Sequence, residues 1–379
     1  MANYHPSKST VVVAMSGGVD SSVAAAILVE QGYRVVGMMM RLWSEEPLTG
    51  VKHNRCCTPE QIADAERIAN DLGIPFYVID TKSTFRNTVV QYFIDQHSEG
   101  NTPNPCIECN RQIRFKFLLN HALALGADFL ATGHYAQIQH DPTTGLYGLY
   151  KGNDEQKDQS YVLSVMGQFE LAHTLFPIGH LPKPEVRAIA QTLNLSVHSK
   201  KDSQDLCFLG DSDYRGFLHR HVPQILAVGE IVMSTGEQVG THNGLANYTI
   251  GQRKGLGVTA SRPLYVIDKD AEHNRLIVGH EEELSHLQLT AKRVNWVSGM
   301  APTDAFEAEI KIRYKSKSIP AWVQPLEGQR MKVYFRTPVR DVTPGQGAII
   351  YQGSQCLGGG IIELQSSVTS NNTARTKSE

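Results

Sequence analysis

The stretch Met15-Ser16-Gly17-Gly18-Val19-Asp20-Ser21-Ser22 decides how the chain is read. The apolar run Val11-Val12-Val13-Ala14 before it predicts a buried strand, and Val23-Ala24-Ala25-Ala26-Ile27-Leu28 after it predicts the first turns of a helix. A glycine-rich turn from strand to helix aims successive backbone N–H groups at one point, with the positive end of the helix behind them. That makes an anion site. The turn lacks the Gly-Lys-Ser/Thr ending of a Walker loop, so it sends no lysine toward a terminal phosphate. It offers the Ser16, Ser21 and Ser22 hydroxyls and the Asp20 carboxylate instead, groups suited to a pyrophosphate with Mg²⁺ beside it.

This SGGxDSS pattern resembles the signature of the PP-loop ATP pyrophosphatases, which break ATP between its α and β phosphates and leave an adenylate on the substrate. Outward from the turn, residues 33–40 read as a second buried strand, which closes a right-handed βαβ unit. Thr58-Pro59-Glu60-Gln61 supplies an N-cap, a proline at the first helical position and a capping-box glutamine, followed by Ile62, Ala65, Ile68, Ala69 and Leu72 on one face and Gly73 as a stop. Residues 76–79 predict a third strand, 84–97 and 110–125 two helices, and 128–132 a fourth strand ending in Gly133-His134-Tyr135. Alternating strands and helices predict a doubly wound parallel sheet, whose ligands sit beyond the carboxyl ends of the strands. Both Ser16 to Ser22 and Gly133-His134 lie at such ends, so they are expected to face one ligand.

Further along, residues 137–150 read as a hairpin turning at Asp141-Pro142-Thr143-Thr144-Gly145. Lys157-Asp158-Gln159-Ser160-Tyr161, taken alone, reads as a solvated helix start, and residues 184–193 as a proline-initiated amphipathic helix. After residue 213 the chain becomes Gly-, Val- and Ile-rich with few helical periods. Phe306, Ala308, Ile310 and Ile312 alternate, as do Met331, Val333 and Phe335, which predicts a small barrel. The fold class is therefore α/β: a doubly wound parallel sheet of the PP-loop, adenine nucleotide alpha hydrolase type, a small β-rich central domain and a C-terminal β-barrel. The expected divisions are 10–213, 214–285 and 286–365, with 366–379 as a frayed tail.

The chain has 379 residues, 41% hydrophobic and 20% charged, with a net charge of −2. That balance favours neither a membrane surface nor a general nucleic-acid coat, so any RNA contact must be local. No apolar run approaches the roughly 20 residues of a membrane span, and residues 1–10 lack a signal-peptide core. A cytoplasmic monomer is expected. Locally, Lys292, Arg293, Lys311, Arg313, Lys315, Lys317, Arg330, Lys332, Arg336 and Arg340 face only Asp304, Glu307, Glu309 and Glu327 within the barrel segment. Such a basic face positions RNA through phosphates. Tyr314, Trp322 and Tyr334 are expected to fill the barrel.

The cysteines at 56, 57, 106, 109, 207 and 356 are too unevenly spaced for a secreted disulfide framework. Cys56, Cys57 and Cys356 read as structural. Asn101-Thr102-Pro103-Asn104-Pro105-Cys106-Ile107-Glu108-Cys109-Asn110-Arg111 is a proline-stiffened loop opening a helix, with Arg114 and Lys116 close behind. Cysteines at such a helix start have lowered pKa values, and Cys207 follows Lys200-Lys201. Two activated thiols beside an adenylating loop suggest sulfur transfer. A pyrimidine carbonyl oxygen is a poor leaving group until adenylation lets it depart as AMP, after which sulfur attacks the activated carbon.

The loop at 14–22, TPNPxxxCN at 102–110, ATGHY at 131–135, KDQSY at 157–161, KKDSxxxCF at 200–208 and TxGQRKGLG at 249–257 together resemble the tRNA-specific 2-thiouridylases. The resemblance runs from about Val11 to Glu363. It implies sulfur placed on C2 of the wobble uridine, at the expense of ATP with Mg²⁺ and with sulfur from an upstream persulfide donor protein. It further implies a persulfide on Cys207, with Cys109 as the thiol that attacks it or pairs with it. ATP contacts are implied at Ala14, Met15, Ser16, Gly17, Gly18, Val19, Asp20, Ser21, Met40 and Gly133. Contacts with tRNA are implied at Asn104, Pro105, His134, Lys157, Asp158, Gln159, Arg313, Tyr314 and Gln346.

One position departs from that family, which commonly has Asn-Pro-Asp where this chain has Asn104-Pro105-Cys106. A thiol cannot replace a carboxylate by charge. Cys106, Cys109 and Cys207 together also offer three thiolates to an iron–sulfur cluster, as in an iron–sulfur-dependent tRNA thiolase acting on another base. That reading is not favoured, and structural zinc is less favoured still. Two further alternatives are a PP-loop ligase that adenylates a small molecule and an RNA-binding redox switch without catalysis.

Overall fold

The computed structural model describes residues 6–45, 58–200, 206–209 and 213–363. Cys56, Cys57, the segment between Lys200 and Leu206, and the C-terminal tail lie outside the described residues.

Strand β1 (Thr10–Ala14) occupies the middle of a five-stranded parallel sheet because Val11, Val12 and Val13 are apolar on both faces and all buried. On one side it pairs with β2 (Arg34–Arg41), which pairs in turn with β3 (Phe76–Asp80). On the other it pairs with β4 (Phe129–Ala131). Helix α1 (Val19–Glu30) carries Val23, Ala24, Ala25 and Leu28 in the core, so it is covered on more than one side. Helix α2 (Pro59–Asp71) starts with the expected capping box between Thr58 and Gln61.

Two helices start earlier than their apolar periodicity suggests. One runs through Lys82–Phe85, Arg86–Val90 and Gln91–Ser98, entered where the Asp80 carboxylate accepts from Lys82 N. The other starts at Pro105, five residues before the expected position, because the Asn104 side chain accepts from the amides of Cys106 and Ile107. Its middle, Asn110–Leu118, is π-wound.

The hairpin of β5 (Ala136–His140) and β6 (Tyr147–Lys151) forms as expected but leaves the parallel sheet, since Leu149 and Tyr150 of β6 pair with Cys356 and Gln355. A two-residue strand, β7 (Thr174–Leu175), completes the parallel sheet beside β4 and was too short to leave a periodic signal. The order across the sheet is β3-β2-β1-β4-β7, so the direction of winding reverses between β1 and β4.

Strands β8 (Val228–Met233), β9 (Gln238–Asn243), β10 (Tyr265–Asp270) and β11 (Arg275–Gly279) make a separate four-stranded sheet over Ile231, Val266, Leu276 and Val278. Then β12 (Ser285–Trp296), β13 (Phe306–Lys311), β14 (Ile319–Leu326), β15 (Arg330–Arg340), β16 (Gly347–Gln352) and β17 (Gln355–Ile362) close into an antiparallel barrel, because β12 pairs with both β15 and β17.

Trp322 and Tyr334 do not fill that barrel. Ala321, Val323, Met331, Val333 and Phe335 take the inward positions, and the two-residue period turns Trp322 and Tyr334 outward, directly opposite each other. The expectation for Lys157 to Tyr161 also fails. Asp158, Ser160 and Tyr161 are buried, because the Asp158 carboxylate accepts from the amides of Gly152 and Ser160 and from the Ser160 hydroxyl.

Candidate active site

The turn after β1 is built from close approaches. Gly17 has φ +64°, and a Cβ there would lie 2.5 Å from the Gln61 carbonyl oxygen of α2. The hydroxyls of Ser16 and Ser21 lie 3.2 Å apart, and the Ser22 hydroxyl donates to the Gly18 carbonyl at 2.8 Å. Gly18 caps α1 without a side chain, so no side-chain cap closes the positive end of the helix. At the end of β4, a Cβ on Gly133 would meet Asp20 C and Ser21 N at 2.7 Å. The two strand ends therefore touch, with Gly133 pressed onto the first turn of α1. Ala14 and Met40, at the carboxyl ends of β1 and β2, are partly buried against one core.

A second feature opens beside this turn. A cavity of about 620 Å³ is lined by Cys106, Cys109 and Cys207 together with Asn104, Pro105, Arg114, His134, Gln159, Tyr314 and Gln346. Cys106 is exposed, Cys109 buried and Cys207 partly buried. Leu42, Phe85, Val89, Val162 and Phe208 make the rest of the wall largely apolar, and Arg114 is the one guanidinium among the described lining residues. The Arg114 guanidinium donates to His134 Nε2 at 3.0 Å, so Nδ1 carries the ring proton and donates to the Thr132 hydroxyl at 2.7 Å. Burial, with the Arg114 charge adding to it, pushes the His134 pKa well below the usual histidine value. His134 is neutral here.

The barrel supplies part of the wall. Gln346 donates to the Thr102 carbonyl at 2.7 Å, and Thr102 N donates to the Pro344 carbonyl at 2.9 Å, which fixes the loop before the cysteine-bearing helix. The Tyr314 ring meets Tyr161 edge-on at 6.0 Å.

Some expected residues lie elsewhere. Arg313 does not line the cavity; its guanidinium holds the Asp341 carbonyl and the Thr343 hydroxyl beside a separate basic hollow with Lys315, Lys317 and Arg340. Of Lys157, Asp158 and Gln159, only Gln159 reaches the cavity, and its side-chain Oε1 accepts from Tyr135 N at 3.0 Å. Of the Lys200-Lys201 pair expected near Cys207, Lys201 lies outside the described residues. The Lys200 ammonium binds the Gly17 carbonyl at 2.8 Å and Asp64 at 3.0 Å, beside the glycine-rich turn. Tyr135, the last residue of the ATGHY stretch but given no contact there, and Lys183, which no quoted motif includes, both bond the Asp20 carboxylate. Cys356 is fully buried and its thiol is pushed up to about 12 by that burial, as a packing cysteine should be.

Among the described residues no three His, Cys, Asp or Glu side chains converge as metal ligands. Cys106, Cys109 and Cys207 as placed do not form a cluster site. Asp20, at the turn, is a fitting single carboxylate for a cation shared with phosphates. No helix among the described residues is long and apolar enough to cross a membrane.

Residues 9–211 match the family model described as tRNA methyl transferase HUP domain, 215–280 the tRNA methyl transferase PRC-barrel domain, and 286–362 the Aminomethyltransferase beta-barrel domain. A tRNA-specific 2-thiouridylase MnmA of Magnetococcus marinus is 46% identical over 93% of this chain and 98% of its own length. The chain belongs to the tRNA-specific 2-thiouridylase family. Two further members are as similar: that of Acetivibrio thermocellus, 45% identical over 94% of this chain and 100% of its own, and that of Natranaerobius thermophilus, 47% identical over 93% and 96%. Across this 2-thiouridylase chain, the nucleotide turn and the thiol cavity meet at successive residues of one strand end, Gly133 and His134.

Proposed function

We propose that the chain is a tRNA uridine 2-sulfurtransferase that uses ATP to place sulfur on C2 of the wobble uridine. The observation that carries this is the turn after β4: Gly133 packs on the first turn of α1, and the next residue, His134, lines the cavity that holds Cys109 and Cys207. An oxygen adenylated at the first feature is thereby within one residue's reach of sulfur at the second. The domain descriptions mention methyl transfer, whereas the curated relatives are thiouridylases. Two thiols in one cavity beside a nucleotide turn support the latter.

In this reading the amides and hydroxyls from Ala14 to Ser21, with Met40 and Gly133, hold ATP, and Asp20 is the residue that would hold Mg²⁺, which would supply neutralising charge to the phosphates. The uracil enters the apolar cavity, where Asn104, Gln159 and Gln346 offer amide partners and Tyr314 an aromatic face. Its O2 attacks the α-phosphorus, and pyrophosphate leaves. The terminal sulfur of a Cys207 persulfide then attacks C2, and the C2–O bond breaks to release AMP. Cys109 thiolate attacks Cys207 Sγ, which frees the thiocarbonyl and leaves a Cys109–Cys207 disulfide for an external thiol to reduce. Arg114 supplies the positive charge that favours the anionic sulfur in a wall otherwise poor in charge. Lys157 and Arg313 serve tRNA outside the base pocket, and Asp158 positions the segment that carries Gln159. A persulfide-carrying protein delivers the sulfur, and the enzyme works as a cytoplasmic monomer.

The test is to incubate the purified chain with tRNA, ATP, Mg²⁺ and a persulfide donor and to measure tRNA nucleosides by mass spectrometry. Formation of 2-thiouridine together with AMP and pyrophosphate is the expected result. Full AMP formation in RNase-treated protein, with no thiolated nucleoside, would overturn it in favour of a small-molecule ligase.

A further inference from the structure

Sulfur transfer through Cys109 and Cys207 leaves Cys106 without a role, although all three cysteines line one cavity. Cys106 and Cys109 stand three residues apart in the opening turn of the helix that starts at Pro105, so their side chains are neighbours on its surface. Their surroundings differ. Cys106 is exposed and Cys207 partly buried, whereas Cys109 is 8% exposed. Cys109 packs in a core with Phe85, Val89, Phe93, Ile113 and Phe208, and Cys207 lies against that same core.

A disulfide between Cys109 and Cys207 is therefore formed against apolar walls. Its reduction needs a thiolate in reach of one of the two sulfurs, and a thiolate brought from solvent loses hydration on entering such a wall. Cys106 meets the need without that penalty, since its side chain lines the cavity and still faces water. Packing gives no competing reason for a cysteine here. An exposed side chain fills no core, and the dipole at a helix start favours a carboxylate over a neutral thiol.

We propose that Cys106 is the resolving thiol of the transfer cycle. It gives its proton to water, and the thiolate attacks Cys109 Sγ in the Cys109–Cys207 disulfide. The Cys106–Cys109 bond forms, the Cys109–Cys207 bond breaks, and Cys207 leaves as a thiolate ready for the next terminal sulfur. This exchange consumes no oxidant. An external dithiol then reaches the new disulfide through exposed Cys106, gives it two electrons and two protons, and is itself oxidised to a disulfide. The inference rests on the sulfur-transfer function proposed above and deepens it by giving the third cysteine of the cavity a chemical step.

Two measurements on the wild-type chain, Cys106→Ser and Cys106→Ala test it. In the first, the chain reacts with tRNA, ATP, Mg²⁺ and a limiting persulfide donor without reductant, is quenched in acid and alkylated, and its disulfides are mapped by mass spectrometry. Wild type should hold mainly the Cys106–Cys109 disulfide with Cys207 alkylated, and both variants should hold the Cys109–Cys207 disulfide. In the second, excess donor and a dithiol reductant are supplied and 2-thiouridine is followed with time. Both variants should slow roughly tenfold or more after the first equivalent of product, while wild type continues. A wild-type chain that ends the first reaction with the Cys109–Cys207 disulfide would overturn the proposal, as would variants that keep the wild-type rate through many turnovers. A wild-type chain that yields no 2-thiouridine at all removes the sulfur-transfer reading and the relay with it, a failure told apart by the nucleoside measurement.

Discussion

The Arg293 guanidinium holds both oxygens of the Glu108 carboxylate, at 3.0 and 2.9 Å. Glu108 is buried in the first turn of the helix that carries Cys106 and Cys109, and Arg293 belongs to β12 of the barrel. Arg293 adopts φ +52° where the pairing of β12 with β17 shifts register, so the strand bends to aim this side chain inward. The cysteine turn is thus anchored to the C-terminal barrel by charge as well as by the Gln346 contact to Thr102. Replacing Arg293 with Ala leaves the buried carboxylate with only the Gln112 amide as a side-chain donor and should cost about 2 kcal/mol, below the range for fully buried pairs because the arginine is 36% exposed. Urea unfolding measures it. A loss below about 0.5 kcal/mol, the size of a surface pair, would show that the anchor is dispensable.

Gly133→Ala tests the contact between strand ends. The added methyl would lie 2.7 Å from Asp20 C and Ser21 N, both backbone atoms that cannot swing aside. The first turn of α1 must shift, so ATP affinity should fall by roughly tenfold or more, in line with the sensitivity of positioned groups to small displacements. Unchanged ATP binding in a calorimetric titration would mean that β4 is not part of the nucleotide site.

The architecture was legible because it rests on local signals that agree: the valine run of β1, the glycine turn, the capping box at Thr58 and the alternation in the barrel strands. What sequence could not show depends on long-range contact. Nothing near Lys183 marks it as a partner of Asp20, and Lys200, placed by sequence next to Cys207, spends its charge at Gly17 and Asp64. Asp158 looks like a surface residue until the amide of Gly152 is seen to need it. The hydrophobicity of Trp322 and Tyr334 favours the barrel interior, whereas strand register turns them out. The convergence of Cys109 and Cys207 followed from chemistry and a family resemblance, with no signal in the spacing itself.

That convergence gives a direct prediction. Cys207→Ser should abolish 2-thiouridine formation while tRNA and ATP binding persist, since the hydroxyl preserves the cavity but carries no transferable sulfur. Cys109→Ser should still accept a persulfide on Cys207, detectable as an added sulfur mass, yet fail to turn over. Thiolation persisting in Cys207→Ser would remove that residue from the reaction.

Two buried histidines make stability fall in mild acid. His97 packs between Phe93 at 4.5 Å and Tyr214 at 5.9 Å, and burial, assisted by Lys269, lowers its pKa to about 3. His134 is depressed as well, by burial first and Arg114 second. Both folded values lie below the unfolded one near 6.5, so the unfolded chain takes up protons that the folded chain refuses. Their contribution is intact above pH 6.5 and is lost as pH falls below it, by about 1.4 kcal/mol per pH unit for each histidine. Urea unfolding from pH 6.5 to 5.5 should therefore show a drop that His97→Phe reduces by roughly 1 kcal/mol, the phenyl ring keeping the stack on Phe93 and Tyr214. If wild type and His97→Phe lose stability in parallel over that interval, His97 takes up its proton in the folded state and the depressed value is wrong.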